Sequence, residues 1–136
     1  MSIWTTILNW WKPTPVVQPQ SFAPIAGRIT SYGYAGDSTP DTNSVLAIGA
    51  WANHLKEGLS LAISRDVEQQ FRYFGVTPKS LVDVMLANGI VLTLLWDDRT
   101  AAEYAGKPLT GRFDLFSPSG PSRYTDCKVI GFRKAV

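Results

Sequence analysis

Cysteine and histidine are almost absent: the 136-residue chain holds one of each, Cys127 and His54. A single cysteine excludes an internal disulfide and any cysteine-based zinc site. A single histidine excludes a multi-histidine metal centre, and no motif context for a Ser-His-Asp arrangement surrounds it. Charge of one sign is lacking too. Thirteen basic and eleven acidic side chains leave a net charge of +2, too little to point to nucleic acid as a partner. No apolar run reaches the roughly 20 residues of a membrane-spanning helix. If the chain is an enzyme, carboxylates carry its chemistry. No metal or organic cofactor is indicated.

What is present is an ordinary globular composition, 45% hydrophobic and 18% charged, sized for one domain with one core. Residues 1–11 hold three of the five tryptophans (Trp4, Trp10 and Trp11) beside Ile3, Ile7 and Leu8. This segment lacks the basic start and small-residue cleavage site of a signal peptide. It reads either as a docking segment for a protein or a membrane surface, or as a strip that folds back onto the domain. Pro13, Pro15, Pro19 and Pro24 follow, giving an extended linker of polyproline II character. The expected division is an aromatic arm and linker over 1–24 and a folded domain over 25–136.

Within that domain the pattern is mainly β. Residues 28–34 favour a strand through Ile29, Thr30, Tyr32 and Tyr34. Residues 36–44 are turn-rich. The spacing of Leu46, Trp51 and Leu55 predicts a short or broken helix over 46–55, stopped by Gly58. A strand is expected over 59–64. A helix is expected over 66–74, with Asp66 as N-cap and Val67, Phe71 and Phe74 on one face, ended by Gly75. Residues 81–96 read as a hairpin about Asn88-Gly89, the favoured pair for a type I′ turn. Strands follow at 112–116 and 127–133, where Cys127 reads as a small core residue. Six strands with two or three short helices predict a small closed barrel.

Two acidic segments carry the most chemical information. Trp96-Asp97-Asp98-Arg99-Thr100 ends one apolar run, and Gly111-Arg112-Phe113-Asp114-Leu115 places an acid inside another. A carboxylate in such a strand faces solvent, finds a partner, or has its pKa raised by burial. The last option makes a general acid that works near neutral pH. The expectation is that Asp98 and Asp114 meet across one cleft. Arg112 lies two residues from Asp114 and so on the same strand face.

Thr30-Ser31-Tyr32-Gly33-Tyr34, followed by Gly36-Asp37-Ser38-Thr39-Pro40, resembles the opening strand and acidic loop of double-psi β-barrel cell-wall proteins. That group includes expansins, rare-lipoprotein-A-type lytic transglycosylases and the three-aspartate domains. Residues 59–64 are similar to the family's second strand. Asp97-Asp98-Arg99-Thr100 is similar to its acidic segment after a central strand, with Thr100 where the family has glycine. Gly111-Arg112-Phe113-Asp114-Leu115 is similar to its closing motif. The resemblance implies a six-stranded double-psi barrel with an extended N-terminal arm.

It further implies peptidoglycan or a related polysaccharide as partner, and a cell-envelope or extracellular setting, including that of a virus particle. On its motifs, Asp114 and Asp98 are the catalytic candidates. Asp37, Asp97, Tyr32, Tyr34 and Arg112 are candidates for substrate binding, the tyrosines by stacking on sugar rings where they are not filling the barrel. The implied activity is lytic transglycosylase cleavage by carboxylate acid–base catalysis. The alternatives are a noncatalytic glycan-binding or structural module of a larger assembly, and a barrel of unrelated purpose.

Overall fold

The computed structural model describes residues 24–33, 47–118 and 125–133. Eight strands and one helix follow in chain order. They are β1 (Ile25–Tyr32), β2 (Ser60–Ile63), α1 (Arg65–Tyr73), β3 (Leu81–Leu86), β4 (Val91–Arg99), β5 (Glu103–Tyr104), β6 (Lys107–Pro108), β7 (Arg112–Phe116) and β8 (Thr125–Arg133). Six strands close a barrel in the order β1-β7-β2-β4-β3-β8. Two neighbouring pairs, β1 with β7 and β2 with β4, are parallel; the other four are antiparallel. Exchanging β1, β2 and β3 for β4, β7 and β8 maps this order and every pair direction onto themselves. The closed six-stranded barrel expected from the sequence is therefore present, with the internal two-fold connectivity of a double-psi barrel.

Strand alternation sorts the side chains into two groups. Ile29, Leu61, Ile63, Leu94, Trp96, Phe113 and Val129 belong to the main core. The residues between them, Tyr32, Ala62 and Phe116, form a second cluster with Leu55 on the other face of the sheet. Helix α1 supplies Val67 and Phe71 to the main core. The Phe71 ring packs edge-on against Trp96 at 5.3 Å and Phe132 at 5.0 Å between centroids. Gly27 is required by this packing: a Cβ there would lie 2.4 Å from the Phe113 ring. Cys127 is buried, and desolvation pushes its thiol pKa up to about 12, as suits an inert core residue.

Local expectations fail in four places for identifiable reasons. No helix forms over the described part of 46–55; residues 47–55 make a tight loop held by Gly49 N–H to Asn53 O and Leu55 N–H to Ala47 O. Ala47 and Ala52 adopt left-handed conformations, and Gly49 lies so close to β4 that a Cβ would come within 2.5 Å of Asp97 O. The spacing that suggested a helix instead directs Trp51 onto the edge of Trp96. Of the two or three short helices expected, only α1 is found among the described residues.

Ser64, not Asp66, occupies the N-cap position of that helix, and its side chain makes no capping hydrogen bond. The Asp66 carboxylate accepts from the Gly111 N–H at 2.9 Å and from the Ser64 hydroxyl at 2.6 Å. It ties the first turn of α1 to the start of β7. The β3–β4 connection is not type I′: Gly89 is left-handed at φ 87°, whereas Asn88 is not. The Gly89 N–H closes a turn onto Leu86 O, and Leu86 N–H bonds Ile90 O. This is a three-residue loop ending in a left-handed glycine. A two-residue loop with both residues at positive φ, Ala105-Gly106, occurs in the unexpected β5–β6 hairpin.

Candidate functional site

The site begins with a break in the β2–β4 ladder. Leu61 pairs with Trp96 and Ala62 with Asp98, so Asp97 is an extra residue in β4. A bulge of this kind re-aims side chains and interrupts alternation. Its consequence is that Trp96, Asp97 and Asp98 are all buried, with the two acids in different surroundings.

Asp98 lies on the face that carries Tyr32 and Ala62. Its Oδ2 accepts from the Tyr32 hydroxyl at 2.7 Å. Its Oδ1 accepts from the backbone N–H groups of Ala50 at 2.9 Å and Arg99 at 2.8 Å. Tyr32 belongs to β1, which is not a neighbour of β4; the phenol bridges across the sheet over Ala62, whose methyl leaves room for it. The ring rests on Phe116 at 5.5 Å and is only 5% exposed, so its part in the site is played by the hydroxyl. Burial, then the negative charge and hydrogen bond of Asp98, raise the Tyr32 pKa far above the ordinary phenol value. Asp97 and Asp114 add to that effect through their charges.

Asp114 falls in the same row. The register reads Thr30–Asp114 between β1 and β7, Asp114–Ala62 between β7 and β2, and Ala62–Asp98 between β2 and β4. The two catalytic candidates thus flank Ala62 on one face, two strand spacings or roughly 9.5 Å apart at Cα. Asp114 is half-buried, whereas Asp98 is 8% exposed. The Thr30 hydroxyl donates to Asp114 Oδ1 at 2.7 Å, and Arg112 Nη1 approaches the same hydroxyl at 3.4 Å. Thr30 therefore links Asp114 to the cation expected on its face.

Asp97 belongs elsewhere. Its Oδ2 accepts from the Ser60 hydroxyl at 2.9 Å and from Asn53 Nδ2 at 3.0 Å. Ser60 is itself fixed by accepting from the Lys56 N–H at 2.7 Å. Asp97 is 2% exposed, and this burial, reinforced by the neighbouring Asp98 charge, pushes its pKa up to about 6. The Ser60 hydrogen bond and the Lys56 charge oppose the rise. It lines a cleft of about 480 Å³ with Asn53, His54, Lys56, Lys79, Leu81 and Leu95.

Of the residues singled out in the sequence, Tyr32, Asp98, Asp114 and Arg112 thus come together, and Asp97 lies in an adjoining cleft. Asp37 and Tyr34 lie outside the described residues, as does the aromatic segment 1–11. Sequence reasoning did not find Thr30, Ser60, Asn53 or Ala62. The small residue at 62 and the hydroxyl at 30 become informative only once strand register is known. It also missed Glu68, which is nearly buried on α1 and paired with Arg99 at 2.7 Å and Arg72 at 2.9 Å. Those two hydrogen-bonded cations outweigh burial and hold the Glu68 carboxyl below its ordinary pKa, the Arg99 bond most of all. The Arg99 guanidinium also lies 4.7 Å from the centre of the Trp51 ring, which makes this a bracket between helix, strand and loop.

Among the described residues no group of three or more His, Cys, Asp and Glu side chains converges as a metal site, and no helix is long and apolar enough to cross a membrane. Compared with known proteins, the chain matches no family model and no curated protein.

Proposed function

We propose that the protein acts on peptidoglycan or a related cell-wall polysaccharide, cleaving glycan strands in the manner of a lytic transglycosylase. The observation that carries this reading is the row Thr30–Asp114–Ala62–Asp98, which sets two carboxylates on one sheet face with a small residue between them. Asp114, the more accessible acid, is the proton donor to the glycosidic oxygen. As the bond from C1 to that oxygen breaks, positive charge develops on the sugar ring. Asp98, immobilised by Tyr32 and two backbone donors, supplies a fixed negative charge beside it. The sugar's own 6-hydroxyl then attacks C1, Asp114 takes back a proton, and a 1,6-anhydro end results. Thr30 and Arg112 orient Asp114 for both transfers.

One observation favours the second reading, a noncatalytic wall-binding or structural module. The Asp98 carboxylate receives three hydrogen bonds and is almost covered, which is also how a purely structural acid is held. In either reading the setting is the cell envelope or the outside of the cell.

Product analysis after incubation with purified peptidoglycan separates the two. Cleavage predicts anhydro-ended fragments from the wild type and a loss of about 10²–10⁴-fold in Asp114→Asn, the range for removing a general acid, with thermal unfolding unchanged. No soluble fragments from the wild type, where a control enzyme releases them, would sink the catalytic reading.

A further inference from the structure

The Asp97 cleft has a chemical demand that the described residues leave unmet. Asp97 Oδ1 and Asn53 Oδ1 are both buried without a hydrogen-bond partner among those residues. The two side-chain donors that reach Asp97, Asn53 Nδ2 and the Ser60 hydroxyl, both go to its Oδ2. A buried oxygen left unpaired costs about 1–3 kcal/mol, so a pair of them beside an open cleft calls for donors from outside. With Asp97 ionised, both atoms are acceptors only. A hydroxyl bound there would bury its own lone pairs with no donor to meet them, whereas an N–H group brings no such burden.

The rest of the cleft specifies the other end of the ligand. Lys56 and Lys79 stand exposed at its border, and Leu81 and Leu95 form its apolar part. The two lysines outnumber Asp97, so the cleft carries an excess positive charge that a carboxylate would balance. Lys79 is held in a left-handed conformation at φ 71°, with its N–H bonded to Trp96 O at 2.6 Å. Strain of that kind in a residue other than glycine is commonly retained at functional positions. The volume of about 480 Å³ lies within the range of small-molecule sites.

Acceptors that want N–H, cations that want a carboxylate and leucines that want a small apolar group describe one chemical unit. We propose that the Asp97 cleft binds an α-amino acid unit bearing a carboxylate, either as a free amino acid or as the C-terminal residue of a peptide. The nitrogen donates to Asp97 Oδ1 and Asn53 Oδ1, the carboxylate meets Lys56 and Lys79, and the side chain lies on Leu81 and Leu95. Two unpaired acceptors favour the three N–H bonds of a free ammonium. Neutralisation of the cleft favours the peptide form, which adds one negative charge. This site is separate from the Asp98–Asp114 face and stands whether or not that face cleaves glycans.

The test is an NMR titration of the ¹⁵N-labelled full chain with alanine, N-acetylalanine, N-acetylalanine amide and lactate. Alanine or N-acetylalanine should give saturable shifts centred on the amides of Asn53, Leu81 and Asp97. The stronger of the two identifies a free amino acid or a peptide end. N-acetylalanine amide lacks the carboxylate, and lactate replaces the N–H group with a hydroxyl; each should bind about tenfold more weakly or worse, as loss of a hydrogen bond to a charged group requires. Lys56→Gln and Lys79→Gln, at exposed positions, should weaken binding similarly while leaving the spectrum otherwise native. Lactate binding as well as alanine, unaltered binding in both lysine variants, or no saturable response to any of the four compounds would each overturn the assignment.

Discussion

Asp97 and Asp98 are consecutive in β4 and nearly equally buried, yet their environments differ in kind. Every oxygen of the Asp98 carboxylate is met by a donor, two of them backbone N–H groups whose position the fold dictates. Asp97 has one oxygen met twice and one met by none of the described residues. The difference comes from a single extra residue in the ladder between β2 and β4. Burial alone therefore does not decide what a carboxylate does; the number and rigidity of the donors facing it do.

The largest effect expected from breaking this comparison lies in pH dependence. A carboxyl whose folded pKa is raised holds its proton more tightly in the native state than in the unfolded chain. Stability from this group is therefore greatest below the ordinary pKa of 3.8 and falls as pH rises to about 6. The loss is about 3 kcal/mol, at roughly 1.4 kcal/mol per unit. Urea unfolding of Asp97→Asn from pH 3.5 to 7 should lack that decline. A decline as steep as in the wild type would assign it to other groups. Glu68, with its pKa lowered, acts in the opposite sense, and its contribution is lost as pH falls below the usual glutamate range. Because Glu68 is unchanged in the variant, the difference between the two profiles isolates Asp97.

A smaller effect is expected on the Asp98 side. Tyr32→Phe keeps the ring on Phe116 but removes the donor to Asp98 Oδ2. Chemical denaturation at pH 7 should show a loss of about 1.5–3 kcal/mol, the range for a hydrogen bond to a charged group. A variant as stable as the wild type would mean that water or another group replaces the phenol without cost. The smallest expected change comes from Lys56→Gln. The Lys56 charge holds the Asp97 pKa down, so a carbon-detected NMR titration should place that pKa higher in the variant. A pKa that stays put would show that the lysine charge is screened by solvent, and one that falls would show that the variant alters the site in another way.

What could be read from the sequence was whatever depends on local pattern. Alternation in Arg112–Phe116, the shared face of Val67 and Phe71 and the stop at Gly75 come from neighbours within a few residues. These were sufficient to infer a closed barrel. They also placed Asp114 in a strand with Arg112 on the same face, but ended the strand before the acidic pair at Trp96, whereas β4 runs on to Arg99. Whatever depends on closure was not legible. The bond from Tyr32 to Asp98 spans 66 positions and that from Thr30 to Asp114 spans 84. The bulge at Asp97 is a property of how β2 meets β4. Nothing in Trp96-Asp97-Asp98 marks which acid turns towards which side. Trp51 and Leu55 misled because they belong to a loop that Gly49 lets press against β4, while Leu46, the third residue of that spacing, lies outside the described residues.

The strand order has a consequence for how the chain reaches this state. Both partners of β1 are the last two barrel strands, β7 and β8. The first barrel strand to leave the ribosome therefore waits, with two open edges, until the last has followed it. Such distant pairings make closure slow relative to a helical protein of similar size. During that wait the exposed edges of β1 are available to other chains. Gly27 and the charge of Arg28, in the middle of that strand, are the features that make it a poor template for them. The row from Thr30 to Asp98 thus exists only after β7 has joined β1 to β2.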